Sequence, residues 1–187
     1  MATPTSLPAT FVAGNVLTAA QMNDLRGAFR ILQVVSTTKS DTFSASIGPG
    51  ADTAITGLSA TITPSSTSSK IFAVVNVSGS EVDITLPYVA IRLYRGATQI
   101  GSGAASSNRT EALAAMRLSS TSGANIGTVT ANYLDSPATT SATTYAVHLT
   151  SLSNTTRTHC ANRSSTDADD EAYARPSSTI TLFEVSA

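Results

Sequence analysis

The sequence predicts a mainly β protein, an antiparallel sandwich, and three features of the chain point to this class. Stretches of strand length recur after residue 33, separated by turn signals such as Gly48-Pro49-Gly50. No helical period of apolar residues interrupts them. Ser and Thr, which suit strands and turns, make up about 30% of the 187 residues. Many short strands without intervening helices are typical of a sandwich or a jelly roll.

The first 33 residues form a separate region in this prediction. Pro4, Pro8 and Gly14, in a stretch with few charges, favour an extended arm up to about residue 16. Thr18 and Gln21 then match a capping box at the start of a helix. Its apolar stripe must dock on another surface, because a helix of about 15 residues is marginal alone. We assign attachment or oligomerisation to Leu17, Met22, Leu25, Phe29 and Leu32.

The remaining residues, 34–187, are expected to form one β domain with a hydrophobic core of its own. The strands predicted at 88–95 and 143–151 keep their apolar residues on one face, which we expect to be buried. The strand candidates are 31–37, 42–47, 54–63, 70–78, 88–95, 112–118, 126–134, 143–151, 156–163 and 178–186.

Two of these strands carry apolar residues on both faces. In the last strand, Ile180 and Leu182 point to one side, and Phe183 and Val185 point to the other. The stretch 71–77 has the same pattern. Both faces then need cover, and the second cover is either a sister subunit, in an expected homotrimer, or the N-terminal helix. The predicted subunit-interface residues are Ile71, Phe72, Ile180, Leu182, Phe183 and Val185.

Composition and charge exclude several partners. Only 12% of the residues are charged and the formal net charge is -1, so no broad basic surface is expected to bind nucleic acid. No apolar run approaches the roughly 20 residues that span a bilayer, and the first residues lack the features of a signal peptide. Cys160 is the single cysteine, so no intramolecular disulfide is possible. We therefore expect synthesis and folding in a cytoplasm, without membrane insertion.

No catalytic constellation is evident, and we predict that the protein is not an enzyme and uses no cofactor. His159 and Cys160 are neighbours in a predicted strand, so their side chains point to opposite faces and cannot act as base and nucleophile. Cys160 is expected to be a small core residue. His148 is expected to face solvent or an interface and has no metal-ligand partner at a typical spacing. A glycan depolymerase is disfavoured because the acidic residues are few and four of them share one loop.

The acidic loop is the best candidate for a metal. Asp167, Asp169 and Glu171 stand at alternate positions and offer oxygen atoms to Ca²⁺. The glycine and glutamate that an EF-hand requires are missing. The alternative is a solvated loop that keeps a strand edge from pairing with other chains.

A group of arginines is a candidate for an acidic glycan. Bidentate contacts to a carboxylate are typical of Arg, and a tyrosine ring can stack on a sugar. The alternative is the ordinary polar face of strands. The residues concerned are Arg92, Arg95, Arg109 and Arg117, with Tyr88 or Tyr94 as the stacking ring.

Several stretches resemble one class of viral protein. The sequence Thr10-Phe-Val-Ala-Gly-Asn-Val-Leu-Thr-Ala-Ala-Gln-Met-Asn-Asp-Leu25 resembles the opening of many tailed-bacteriophage tail and fibre proteins, where a Gly, a Leu-Thr-Ala-Ala step and an Asn open a short helix. The stretches 92–101, 133–145 and 178–185 resemble the β-rich tip domains of phage fibres and related virion appendages. The likeness of the N-terminal stretch and of the β-rich body together covers most of the chain.

This resemblance implies a homotrimeric jelly roll or related sandwich displayed on a virion, with the N-terminal segment bound to other phage virion proteins. The implied function is that of a short tail fibre or tail-tip subunit, with a glycan or protein of the host surface left open as a partner. The alternative is a capsid decoration protein of similar fold with no receptor role. The chain has neither shaft nor extended coiled coil, which argues against a long fibre. The implied location is the tail or capsid surface of a particle assembled in the host cytoplasm.

Overall fold

The structure, a computed structural model, describes residues 14, 16, 18–19, 31–82, 87–118 and 122–186. These residues are mainly β, which confirms the predicted class. The strands are β1 (Ile31–Lys39), β2 (Phe43–Ile47), β3 (Asp52–Ile62), β4 (Lys70–Glu81), β5 (Tyr88–Arg95), β6 (Thr98–Ile100), β7 (Ala114–Arg117), β8 (Gly127–Asp135), β9 (Thr143–Thr150), β10 (Arg157–Ala161) and β11 (Ser178–Val185).

Each of the ten predicted strands is found, and its ends lie within three residues of the prediction. The structure adds β6, which follows the turn at Gly96 and pairs with β5. This strand escapes sequence reasoning because three residues are too few to show a period of two. The strands are therefore the part of the fold that local sequence specifies best.

Two antiparallel sheets contain all of these strands. Sheet A has the order β1-β11-β4-β10-β2, and β8 pairs with β4 off this path. Sheet B has the order β3-β9-β5-β6, and β7 pairs with β5 off this path. Five antiparallel pairs are nested in the chain, because β1 pairs with β11, β2 with β10, β3 with β9, β4 with β8 and β5 with β7. The first and last strands thus lie side by side in sheet A.

The two sheets share one hydrophobic core, and each strand contributes alternate residues to it. The predicted buried faces of β5 and β9 are confirmed, since their apolar residues on that side are at most 1% exposed. These residues are Val89, Ile91, Leu93, Tyr145, Val147 and Leu149. Sheet A supplies the opposite side of the core with Ile71, Ala73, Val75, Val77, Val129, Ala131, Ile180 and Leu182.

A buried polar link joins the sheets at the end of β8. Asp135, which is 5% exposed, accepts a hydrogen bond of 2.7 Å from the hydroxyl of Tyr145 in sheet B. Both of its carboxylate oxygens also lie 2.9 Å from Nη1 of Arg95. Burial, with the neighbouring Asp135 carboxylate, raises the pKa of Tyr145 above its ordinary value. The hydroxyl therefore stays protonated and donates to Asp135.

The predicted N-terminal helix falls almost wholly outside the described residues. Leu17, Met22, Leu25 and Phe29 are among the residues that the structure does not describe. Leu32, the last residue of the predicted helical stripe, lies in β1, which corrects its assignment to the helix. Within the described ranges, no helix has the length and apolar character to cross a membrane.

One loop residue offers a stabilising substitution. Ala138, exposed in the β8–β9 loop, has a φ of 53°, which costs a residue with a Cβ atom about 1 kcal/mol. We expect Ala138→Gly to raise the free energy of unfolding by about 0.5 to 1 kcal/mol, measured by urea denaturation. The matched control is Ala142→Gly in the same loop, where φ is not positive and glycine is expected to destabilise. Equal effects of the two changes would contradict the left-handed conformation at Ala138.

Candidate functional site: the outer face of sheet A

A row of apolar side chains crosses four strands on the outer face of sheet A. The strand registers place Val34 of β1 opposite Phe183 of β11, and Phe183 opposite Phe72 of β4. Phe72 in turn lies opposite Leu134 of β8. The rings of Phe72 and Phe183 contact each other, with centroids 6.3 Å apart. We call these four residues the apolar row.

The apolar row is exposed in the single chain. Val34 and Leu134, at its two ends, are 54% and 53% exposed, and the two phenylalanines are half-buried. Exposed apolar residues gathered in one patch are uncommon on a monomer and mark surfaces that bind other proteins or membranes. The row is therefore the strongest candidate for an interaction site among the described residues.

The surroundings of the apolar row are nearly free of charge. The next row of the same face consists of Ser36, Thr181, Val74 and Asn132. On the other side lie Ile31 and Val185, and then Lys70, whose ammonium group donates to Ser136 at 2.7 Å. Lys70 is thus at the border of the patch. A partner must accordingly be apolar where it meets the row.

The predicted interface residues divide between the two faces of sheet A. Phe72, Phe183 and Val185 lie on the outer face, as predicted for residues that a partner covers. Ile71, Ile180 and Leu182 are 0% exposed in the core of the single chain, so a second copy cannot reach them. This corrects their assignment to a subunit interface. Their burial follows from the alternation of side chains along a strand, since the other sheet covers that face.

Sequence reasoning missed the two ends of the apolar row. Val34 and Leu134 lie in strands that were predicted, but only 71–77 and the last strand were singled out as apolar on both faces. Their place in the row follows from the pairing of β1 with β11 and of β8 with β4. Val34 and Phe183 are more than 100 positions apart in the sequence, and Phe72 and Leu134 are about 60 positions apart. No local signal in the sequence specifies pairings between such distant residues.

A cluster of polar side chains lies on the outer face of sheet B. Asp52 accepts hydrogen bonds from Nη1 of Arg92, from the Tyr94 hydroxyl at 2.9 Å and from Nδ1 of His148 at 2.7 Å. The rings of Tyr94 and His148 stack with centroids 4.1 Å apart. Burial by itself would raise the pKa of Asp52, but hydrogen bonds from His148, Arg92 and Tyr94 outweigh it and hold that pKa below its usual range.

Arg92 also binds the backbone. It donates from Nε to the carbonyl of Glu111 at 2.8 Å and from Nη2 to the carbonyl of Gly50 at 3.2 Å. The charge of Arg92 is therefore balanced by Asp52, and each of its three nitrogens donates one hydrogen bond. The predicted place of His148, facing solvent or an interface, agrees with its half-buried position in β9.

The other candidate arginines do not join this group. Arg95 binds Asp135, and Arg109, exposed in the loop after β6, donates to Ser106 at 2.8 Å. Arg117 lies opposite Tyr88 in the β5–β7 pair.

Arg92 and Arg109 line one cavity of about 370 Å³, together with Gly50 and Glu111, and Arg95 and Arg117 are not among its lining residues. The glycan site and the ordinary polar face of strands both stay predictions.

His159 and Cys160 are both buried. Cys160 is 0% exposed, as expected of a small core residue, and burial raises the pKa of its thiol. Burial, together with the charge of Arg157, lowers the pKa of His159 to about 4. His159 pairs in register with Glu81 of β4, and its ring centroid lies 5.9 Å from that of Tyr88. Among the described residues, Nε2 of His159 and Oε1 of Glu81 are buried without a hydrogen-bond partner.

The three carboxylates that were the candidate Ca²⁺ ligands line one open cavity in an exposed loop. Asp167 lies 2.6 Å from Arg175 and 3.6 Å from Arg163. In the ranges that the structure describes, no group of three or more His, Cys, Asp or Glu residues is placed to hold a metal ion. Asp167, Asp169 and Glu171 thus stay a candidate only, and the ion pairs of Asp167 agree with the alternative of a solvated loop.

Comparison of the sequence with protein-family models and with curated proteins finds no match. The role of the outer face of sheet A must therefore be argued from its own residues.

Proposed function

We propose that this protein is a structural subunit of a tailed-bacteriophage virion that assembles as a homotrimer through the outer face of sheet A. Residues 1 to about 33 attach it to other virion proteins, and the β domain is displayed outward as a short tail fibre or tail tip. The observation that carries the proposal is the apolar row, in which Val34 and Leu134 are 54% and 53% exposed and Phe72 and Phe183 are half-buried in a single chain.

A second copy of the chain suits this face better than a charged partner does. The row is apolar across all four strands, and its neighbours on the same face are uncharged up to Lys70. In a symmetric oligomer the same patch meets itself or its sister patches, so both sides are apolar together. Burial of such surface contributes roughly 25 cal/mol per Å². Lys70, at the border of the patch, is the one charged residue among the neighbours of the row named above.

The strand order supports a jelly roll, which would place the domain among sandwich architectures. The nested antiparallel pairs β1–β11, β2–β10, β3–β9, β4–β8 and β5–β7 are divided between the two sheets, as expected when one long hairpin winds around a core. Jelly rolls of this kind recur in viral coat and sugar-binding domains. Fold alone does not specify function, so the order adds weight to the virion proposal only together with the N-terminal resemblance.

Trimerisation would give the protein its means of binding. Three linked copies convert a weak contact with the host surface into a strong one, because the second and third contacts are made at high effective concentration. The receptor is a surface glycan or protein in this proposal. Antibody labelling of the particle tests the location: signal on the tail supports a fibre or tip, whereas signal on the head supports the capsid decoration alternative.

We expect Phe183→Asp to convert the trimer into a folded monomer. The change places a carboxylate in the middle of the apolar row, where burial against a sister subunit removes it from water without a counter-charge. Because Phe183 is on the outer face, the core of the single chain is left intact. Mass measurement in solution at micromolar concentration, with circular dichroism for the fold, checks both parts of the expectation.

The matched control is Thr144→Asp, which introduces the same charge at an exposed strand position on the outer face of sheet B. This variant is expected to remain trimeric. A wild-type protein that is monomeric at micromolar concentration would overturn the trimer. So would a Phe183→Asp variant that keeps the mass of the wild type.

A further inference from the structure

We infer that a cavity beside the outer face of sheet B binds a carboxylate-bearing sugar, and that Arg109 pairs with the carboxylate. This inference rests on the proposed display of the β domain on a virion, and it names the class of host-surface ligand that the domain would bind. The cavity measures about 370 Å³, which is within the usual range of small-molecule sites.

The cavity lies where two loops meet β5. Gly50 contributes to it from the turn between β2 and β3, and residues 107–111 contribute from the loop between β6 and β7. The two loops approach each other closely, since a Cβ atom at Gly50 would lie 3.9 Å from Oγ1 of Thr110. Arg92 joins them from β5, because its guanidinium donates to the carbonyls of Glu111 and Gly50 at 2.8 and 3.2 Å. These bonds hold the walls of the cavity in place before a ligand arrives.

Arg109 is the cationic group of this cavity that has no carboxylate partner. Ion pairs with a carboxylate are present for Arg92, Arg95, Arg157, Arg163 and Arg175. Among the arginines that the structure describes, Arg109 and Arg117 have none. Arg109 lines the cavity and Arg117 does not. The charge of Arg109 is therefore available to a ligand that enters the cavity.

Contacts with Ser106 fix the position of Arg109. Its backbone N–H donates to the carbonyl of Ser106 at 3.1 Å, and its Nη1 donates to the Ser106 hydroxyl at 2.8 Å. The side chain thus uses one of the five N–H donors of its guanidinium, and the others remain for a carboxylate. Arginine and a carboxylate form two parallel charge-assisted hydrogen bonds, which give the contact direction as well as strength.

The rest of the lining favours a sugar over a peptide or a lipid. Ser107, Asn108 and Thr110 carry hydroxyl and amide groups that both donate and accept, as sugar hydroxyls do. Within the described part of the chain, no residue that lines the cavity has an apolar side chain. The ligand must therefore be polar beyond its carboxylate.

The charge of the cavity fits a ligand that carries a single negative charge. Arg92 is balanced by Asp52, so Arg109 remains to neutralise one carboxylate. Glu111, which also lines the cavity, would repel further negative charges and disfavours a polyanion.

The cavity and the apolar row belong to different sheets. The row crosses the outer face of sheet A, whereas Arg92 is on the outer face of sheet B. Sister subunits that cover the row would thus leave the cavity open to the ligand. Three such sites in one trimer would convert a weak contact into a strong one.

Saturation-transfer NMR with the full-length protein tests the assignment. The probes are methyl glucuronide and sialyllactose at millimolar concentration, with methyl glucoside and lactose as their counterparts without a carboxylate. We expect an acidic sugar to bind, and Arg109→Gln to weaken its binding by about tenfold or more. Arg117→Gln is the matched control, because Arg117 is also exposed and without a carboxylate partner, and it is expected to change binding by less than about threefold.

Three results would overturn the inference. The first is that neither acidic sugar binds. The second is equal weakening by the two variants, which would show attraction to net charge rather than to a site. The third is displacement of the sugar by acetate at the same concentration, since the cavity would then recognise a carboxylate alone.

Mass measurement of the same samples reports the proposed self-association separately. A trimer that binds neither acidic sugar would overturn the cavity assignment and leave the trimer standing. A monomer that binds an acidic sugar through Arg109 would support the cavity assignment and overturn the trimer.

Discussion

Replacing Gly79 with Ala is expected to lower the free energy of unfolding by about 3 kcal/mol or more. Gly79 is buried in β4, where it pairs with Ala161 of β10 and with Gly127 of β8. A Cβ atom at Gly79 would lie 2.4 Å from the carbonyl oxygen of Cys160. Because that oxygen belongs to the backbone of β10, no change of rotamer relieves the overlap and the two strands must move apart.

The shift of backbone that Gly79→Ala causes is expected to affect both β10 and β2. In the described residues β10 joins β4 through three residue pairs, and β2 is held to the sheet by β10. Weakening the junction at Gly79 therefore loosens both β10 and β2. The core around Ala161 and Ile47 would lose contacts as a consequence.

Urea denaturation at one fixed protein concentration, followed by circular dichroism, measures the loss. Gly103→Ala is the matched control, because its Cβ meets no atom within 4 Å and its φ is not in the left-handed region. The control is expected to stay within about 0.5 kcal/mol of the wild type. A Gly79→Ala variant as stable as the control would contradict the described approach of β4 to β10.

Acidification from about pH 4.5 to pH 2 is expected to remove about 3 kcal/mol of stability through Glu184 alone. Glu184 of β11 is 1% exposed and holds the loop between β3 and β4. Its Oε1 accepts hydrogen bonds from the backbone N–H and the hydroxyl of Ser65, at 2.7 and 2.6 Å. Its Oε2 accepts one from Gln33 at 2.7 Å.

The direction of the pH effect follows from the pKa of Glu184 in the folded and the unfolded chain. Burial by itself would raise the pKa of Glu184, but hydrogen bonds from Ser65 and Gln33 outweigh it and lower the pKa to about 2. In the unfolded chain the same carboxyl titrates near 4.5. The folded state therefore binds this proton less readily, so the stabilisation is complete above about pH 4.5 and is lost as the pH falls toward 2.

Glu184→Gln isolates this contribution. The variant is expected to be less stable than the wild type at pH 7, because the amide cannot accept all three hydrogen bonds. The difference is expected to shrink between pH 4.5 and pH 2, where the wild type loses its advantage. The titration of His159 affects stability at higher pH, between its pKa of about 6.5 in the unfolded chain and its pKa of about 4 in the folded protein. This contribution is the same in the wild type and the variant, so subtracting one stability curve from the other removes it.

Glu171→Gln provides the matched control for the loss of a carboxylate. Glu171 is exposed in the loop before β11, and its stability curve is expected to follow that of the wild type across the whole pH range. If Glu184→Gln and the wild type differ by the same amount at pH 6 and at pH 2, Glu184 is not the carboxylate that the folded state keeps ionised.

The strands of this protein could be predicted because their signals are local. Alternation along 88–95 and 143–151 specifies which side chains are buried, and the turn residues between strands specify where each one ends. The double-faced pattern of β4 and β11 likewise indicated an uncovered face before any pairing was known. It did not indicate which face. The opposite sheet covers Ile71, Ile180 and Leu182, and leaves Phe72 and Phe183 outside.

By itself, the sequence determined the β class, the strand positions and the presence of surplus apolar residues, because each depends on neighbours in the chain. The tertiary structure alone decided the composition of the apolar row and the ion pair of Arg92 with Asp52, because both depend on register between distant strands. A shift of one residue in the β1–β11 or β4–β8 pairing would turn Val34 or Leu134 to the other face. The register of these pairs is selected by the packing of the whole core. No short stretch of the sequence carries that information.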